Sequence, residues 1–116
     1  VKLTLNNVKR EWKGTWGKIG HVDYTIKNSE AGTIKPEYMV MRVQGYEDTQ
    51  RKIPLPLSSK TIKSGKTTGL VLKMPKGFAY NEASLDDISK VRVFITLYDS
   101  QDKAITTATG TFNLAG

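Results

Sequence analysis

The run VRVFITLYD, residues 91–99, constrains the fold more than any other stretch of this chain. Val91, Val93, Ile95 and Leu97 fall on alternate positions with polar or aromatic residues between them. A period of two places all four on one face of an extended strand, whereas a helix would scatter them around its surface. It is the longest such stripe in the chain and predicts a central strand. The same period recurs in Val22, Tyr24 and Ile26, in Met39, Met41 and Val43, in Leu70, Leu72 and Met74, and across the closing AITTATGTFNL. Leu3 and Leu5 begin a further strand whose phase slips at Asn6-Asn7, so that Val8 and Trp12 take the other parity, the mark of a bulge. Turn residues separate these runs about every ten positions, which predicts an all-β, antiparallel immunoglobulin-like sandwich of about seven strands.

Two finer expectations follow from proline and serine. In IPLPL, Pro54 and Pro56 stand two apart, so their missing N–H groups lie on one side and the segment through Leu57 fits only a sheet edge. Pro75 is expected to end the LVLKM strand. SSKTIKSGKTTG, before it, reads as a polar hairpin. Ser84 followed by Asp87 resembles a capping box and predicts one helical turn across Leu85 to Ser89.

With 116 residues, the chain is long enough to bury roughly two-thirds of its unfolded surface in one core, so residues 1–116 are expected to form a single domain. The opening at Val1 rather than methionine points to a processed chain or an excised domain. No apolar run approaches the ~20 residues of a membrane helix. Cysteine is absent, which removes disulfides, thiolate nucleophiles and Cys-ligated metals. Eighteen basic residues face eleven acidic ones, for a net charge of +7, a balance that favours acidic partners or serves solubility. The cations are spread over most strands and turns, which weighs against a dedicated nucleic-acid surface and towards solubility.

The passage ITLYDSQDKAITTATGTF, with the turn before it, resembles the closing hairpin of the small bacterial and archaeal extracellular immunoglobulin-like modules named after an F-x-L-Y-D motif. Ile95 stands where the motif has phenylalanine, while Leu97, Tyr98 and Asp99 match it. The likeness covers roughly the last thirty residues, with VDYTIKN fitting loosely. It implies a secreted or cell-surface accessory module, located outside the cell or in its envelope, with no catalytic residues to carry over. The paired cysteines of antibody domains are missing.

No catalytic constellation survives a spacing test, so no enzyme is expected. GKTT at 65–68 lacks the glycine that a phosphate loop needs at position 60, where Lys60 stands, and a strand follows it. Gly14, Gly17 and Gly20 have the wrong spacing for a dinucleotide fingerprint. His21, the single histidine, sits on the parity opposite Val22 and reads as a rim residue. Asp86 and Asp87 are adjacent and suit capping. Asp99 and Asp102 read as turn residues, lacking a calcium-loop ligand series. Met39, Met41 and Met74 are core fillers ahead of a soft-metal set with His21. Neither a metal nor another cofactor is expected.

REWKGTWGKIG, residues 10–20, is the best candidate for recognition. Trp12 and Trp16, near Lys9, Arg10, Lys13 and Lys18, combine flat apolar faces with positive charge, on which sugars or unpaired bases stack. Trp12, Lys13, Trp16 and Lys18 are the ligand-binding candidates. Trp12 follows the parity of Val8 and is expected in the core, leaving Trp16 exposed. Lys60, Lys63 and Lys66 form the densest lysine group and are the polyanion candidates. These residues predict a non-catalytic accessory or adhesion module of a bacterial secreted or surface protein, with a protein or polysaccharide partner. The alternatives are a carbohydrate-binding module using Trp16 and a polyanion-binding domain.

Overall fold

The computed structural model describes residues 1–116. Its strands are β1 (Lys2–Trp12), β2 (Trp16–Lys27), β3 (Pro36–Val43), β4 (Gln50–Pro54), β5 (Thr67–Asn81), β6 (Val91–Asp99) and β7 (Ala104–Phe112). One short helix, α1 (Leu57–Lys60), lies between β4 and β5. The strands form a three-stranded sheet in the order β1-β2-β5 and a four-stranded sheet in the order β4-β3-β6-β7, with all pairings antiparallel. This is the antiparallel sandwich that the period-two pattern predicts.

Burial follows parity. Val93, Ile95 and Leu97 of β6 are fully buried, as are Val22, Tyr24 and Ile26 of β2 and Met39 and Met41 of β3. They belong to one cluster of 21 buried residues drawn from both sheets. Burying such side chains contributes about 1.5–3 kcal/mol each and is the main force holding the sheets together. The phase slip in β1 is a real bulge. Asn6 is the residue left over between Leu5 and Asn7, and its side-chain amide donates to Asp23 Oδ1 (3.2 Å) and Thr25 Oγ1 (2.8 Å) on the neighbouring strand. Buried polar side chains are also satisfied: Tyr24 and Ser59 share a 2.6 Å hydrogen bond, and Asn28 Nδ2 donates to the carbonyls of Gly32 and Ile62, each at 2.8 Å.

Four expectations need correction. The proline segment does edge the four-stranded sheet, but its strand stops at Pro54. Leu55 adds one backbone bond to Glu37 (3.1 Å), and Leu57 turns away into α1, 86% exposed. The supposed polar hairpin is not one, because Ser59 and Ile62 are buried within it and Ile62 bridges to Ile34. Pro75 does not end β5, which continues to Asn81 past a bulge; an edge strand has an outward side where a missing N–H costs nothing. The helical turn falls at Glu82–Ser84, one turn early and of the tighter 3-10 kind. Asn81, rather than Ser84, caps it by accepting from the Ser84 N–H at 3.0 Å, while Asp87 closes its own turn onto Ser89.

Candidate anion-binding cleft

The irregularity in β5 shapes the outer face of the three-stranded sheet. Ile19 pairs with Phe78 and His21 with Lys73, so the single residue Gly20 on β2 faces four residues, Met74 to Gly77, on β5. Extra residues on one strand bend it away from its partner. Gly77 makes the bend possible with φ +66°, and a side chain there would run into Lys18 and the Ile19 carbonyl. The bulge is held from the other sheet by Arg51, whose Nε donates to the Gly77 carbonyl at 3.0 Å and whose guanidinium lies 5.6 Å from the Phe78 ring centre. Gly20 has open space where a side chain would stand.

The space so opened is a cleft of 540 Å³ whose walls carry Lys9, Lys18, Lys73 and Lys76, with His21 beside them; Arg10 borders it too, but shares the inward parity of its partner Ile19. Three strands contribute these side chains. The register sets Lys9 beside His21 and His21 beside Lys73 in one cross-sheet row. Glu11 is the only carboxylate on the walls, and it is paired with Lys13 at 3.5 Å. The chain forms two further ion pairs, Val1 with Glu30 and Lys60 with Glu37, so none of the four cleft lysines is ion-paired, although Glu11 stands opposite Lys18 in the register. Arg10 is anchored on the inward side, its guanidinium donating twice to the Ala115 carbonyl. Like charges gathered in a concave wall raise the local concentration of anions and leave their N–H donors open to them.

The sequence candidates separate. Lys18 lines the cleft, whereas Lys13 is engaged by Glu11 at its rim. Trp16 is outward and 41% exposed, as expected. Trp12 has the inward parity and is partly buried, packed against the core cluster rather than fully inside it. It packs against Tyr80 (ring centres 6.2 Å apart) and the C-terminal Gly116, with its indole N–H donating to the Gly14 carbonyl at 2.9 Å. It closes the end of the sandwich at the margin of the core. Lys60 is drawn to Glu37 at 3.1 Å, which leaves Lys63 and Lys66 on a turn closed by the Lys66 N–H to Lys63 carbonyl bond. Those three lysines therefore do not act as one group. His21, on the outer face, cannot meet Met39 and Met41 inside the sandwich.

The L-Y-D residues have structural work. Leu97 is buried, Tyr98 stacks on Tyr38 with ring centres 5.2 Å apart, and Asp99 Oδ1 accepts from the N–H groups of Gln101 (2.9 Å) and Lys103 (3.0 Å). Asp102, at φ +61°, accepts the Tyr38 hydroxyl at 2.7 Å, and that hydrogen bond leads the effects that push the Tyr38 pKa up to about 12. Burial raises the pKa of Tyr24 and Tyr80. Hydrogen bonds from Ser89 lower that of Asp87.

Lys73 and Lys76 are the site residues that sequence reasoning missed. The available signal was the Pro75 to Gly77 interruption inside an apolar strand, which marks a bulge as well as an end.

No protein-family model matches this chain, and no curated protein does. Among solved structures, the crystal structure of a protein from Archaeoglobus fulgidus is similar with a TM-score of 0.41 and 15% identity, over 93% of this chain and 95% of that one. A likeness so distant carries no functional inference. No helix is long and apolar enough to cross a membrane.

Proposed function

We propose that this chain is a non-catalytic binding module of a secreted or cell-surface protein, and that it holds an anionic polymer in the basic cleft. The observation that carries this reading is the convergence of Lys9, Lys18, Lys73 and Lys76 on one concave wall without an ion-paired carboxylate. It replaces the expectation of evenly scattered charge. Supporting the non-catalytic part, three of the four carboxylates weighed for chemistry are engaged: Asp87 with Ser89, Asp99 with its hairpin and Asp102 with Tyr38. The F-x-L-Y-D resemblance supports an extracellular setting.

The experiment is polyanion binding measured against salt. Each sulfate or phosphate neutralised releases counterions, so log affinity falls linearly with log salt, with a slope that counts the contacts. The wild type is expected to bind heparin with a slope of about three to four, and Lys73→Gln/Lys76→Gln to lower it by about two. Binding that survives this change while being lost in Lys63→Gln/Lys66→Gln would move the site to the turn and refute the cleft.

A further inference from the structure

We infer that the cleft and the exposed Trp16 are two halves of one site for an anionic polysaccharide, with a sugar ring stacked on the indole and the charged substituents held in the cleft. This rests on the anionic reading above and adds to it the chemical class of the ligand. Trp16 and Lys18 are two apart on β2 and share its outward parity, while Gly17 between them faces Tyr80. Their backbones are therefore about 7 Å apart along the strand. Lys18 lines the cleft and pairs across the sheet with Ala79. Ala79 in turn lines a shallow 240 Å³ ledge together with Trp16, Tyr46, Tyr80 and Asn81. The single cross-strand pair Lys18 and Ala79 is thus the boundary between the two depressions, and a chain leaving one enters the other.

The donors on the ledge favour a sugar. The Tyr46 hydroxyl accepts from the Asn81 N–H at 2.8 Å, which leaves its own proton to donate. Asn81 Oδ1 accepts from Ser84 N and Oγ, which leaves its Nδ2 hydrogens free. An indole face flanked by two uncharged donors suits a ring that carries hydroxyl oxygens. Unpaired nucleic acid is usually held on several stacking aromatics along a groove, whereas the cleft walls carry no Phe, Tyr or Trp. The indole N–H of Trp12 is tied to Gly14, so Trp16 is the indole available to a ligand.

The test compares three probes by calorimetry at ~0.15 M salt: a heparin octasaccharide, inorganic polyphosphate, which has charge without rings, and an oligo-dT strand. Trp16→Ala is expected to weaken the octasaccharide about ten-fold and polyphosphate less than two-fold, because only the former loses a stacked ring. Trp16→Phe should recover part of the loss, which separates stacking from misfolding. Lys73→Gln/Lys76→Gln should weaken both anions. If Trp16→Ala leaves the octasaccharide unchanged while the lysine variant still weakens it, this inference fails and the charge reading stands. Tighter, Trp16-dependent binding of oligo-dT overturns the saccharide class. If neither anion binds the wild type, both readings fall.

Discussion

The outer faces of the two sheets use similar residues to opposite ends. On the four-stranded sheet the cations are laid onto aromatic rings: Lys52 Nζ stands 4.2 Å from the Tyr38 ring centre, and the Arg42 guanidinium 5.9 Å from that of Phe94. Tyr38 itself stacks on Tyr98, and Thr96 bonds Thr107 across β6 and β7 at 3.1 Å. On the three-stranded sheet the bulge at Met74 to Gly77 interrupts the rows, and Lys9, Lys18, Lys73 and Lys76 are left around a hollow without a ring contact or an ion pair, since Glu11, opposite Lys18, is taken by Lys13. Regular pairing brings side chains into contact with one another, and a broken register leaves them to a ligand.

The largest expected effect comes from removing charge on each face in turn. Changing Lys9, Lys18, Lys73 and Lys76 together to glutamine should lower heparin affinity by about two orders of magnitude at ~0.15 M salt. Arg42→Gln/Lys52→Gln should change it less than about three-fold, because those cations already face rings. Equal losses in a binding titration would erase the distinction between the faces.

Next come the two tryptophans. Trp12→Ala should destabilise the fold by about 2 kcal/mol in a denaturant titration, below the range for a fully buried aromatic because Trp12 is only partly buried. Trp16→Ala should cost under about 0.5 kcal/mol, as exposed positions do. A smaller contrast is expected between two glycines of positive φ. Gly77→Ala should cost about 2–3 kcal/mol, since strain and contact with Lys18 and Ile19 add, whereas Gly65→Ala, with open space around it, should cost about 1 kcal/mol.

The smallest effect is a titration. Tyr38 on the four-stranded face should ionise near pH 12, later than an ordinary tyrosine at about 10. Its phenol holds its proton more tightly in the folded chain than in the unfolded one. The stabilisation linked to it is therefore complete below pH ~10 and declines as pH rises towards 12. Tyr38→Phe should remove a late component from the absorbance of tyrosinate at high pH; an unchanged curve would show that Asp102 does not hold the phenol.

The elements whose residues are local in sequence were legible beforehand. The β6 stripe, the Asn6 bulge and the edge position of Pro54 all follow from period and from proline's missing N–H. Parity also placed Trp12 on the inward face. It did not give depth: beyond Val8 the inward side of β1 passes the end of the core, where Arg10 meets Ala115 and Trp12 meets Gly116. The cleft was illegible because its lysines lie at positions 9, 18, 73 and 76, and only the register across β1, β2 and β5 brings them together. Lysines close in sequence misled for the same reason, since Glu37 on another strand draws Lys60 out of the group.

The most direct test of the account is a heparin oligosaccharide titrated into isotope-labelled protein, with amide and indole resonances followed by NMR. The account predicts that the shifts concentrate at Lys9, Lys18, His21, Lys73, Lys76 and the Trp16 indole, leaving Arg42, Lys52, Lys63 and Lys66 unmoved. Shifts centred on the Lys63 to Lys66 turn or on the four-stranded face, or none at all, would contradict it.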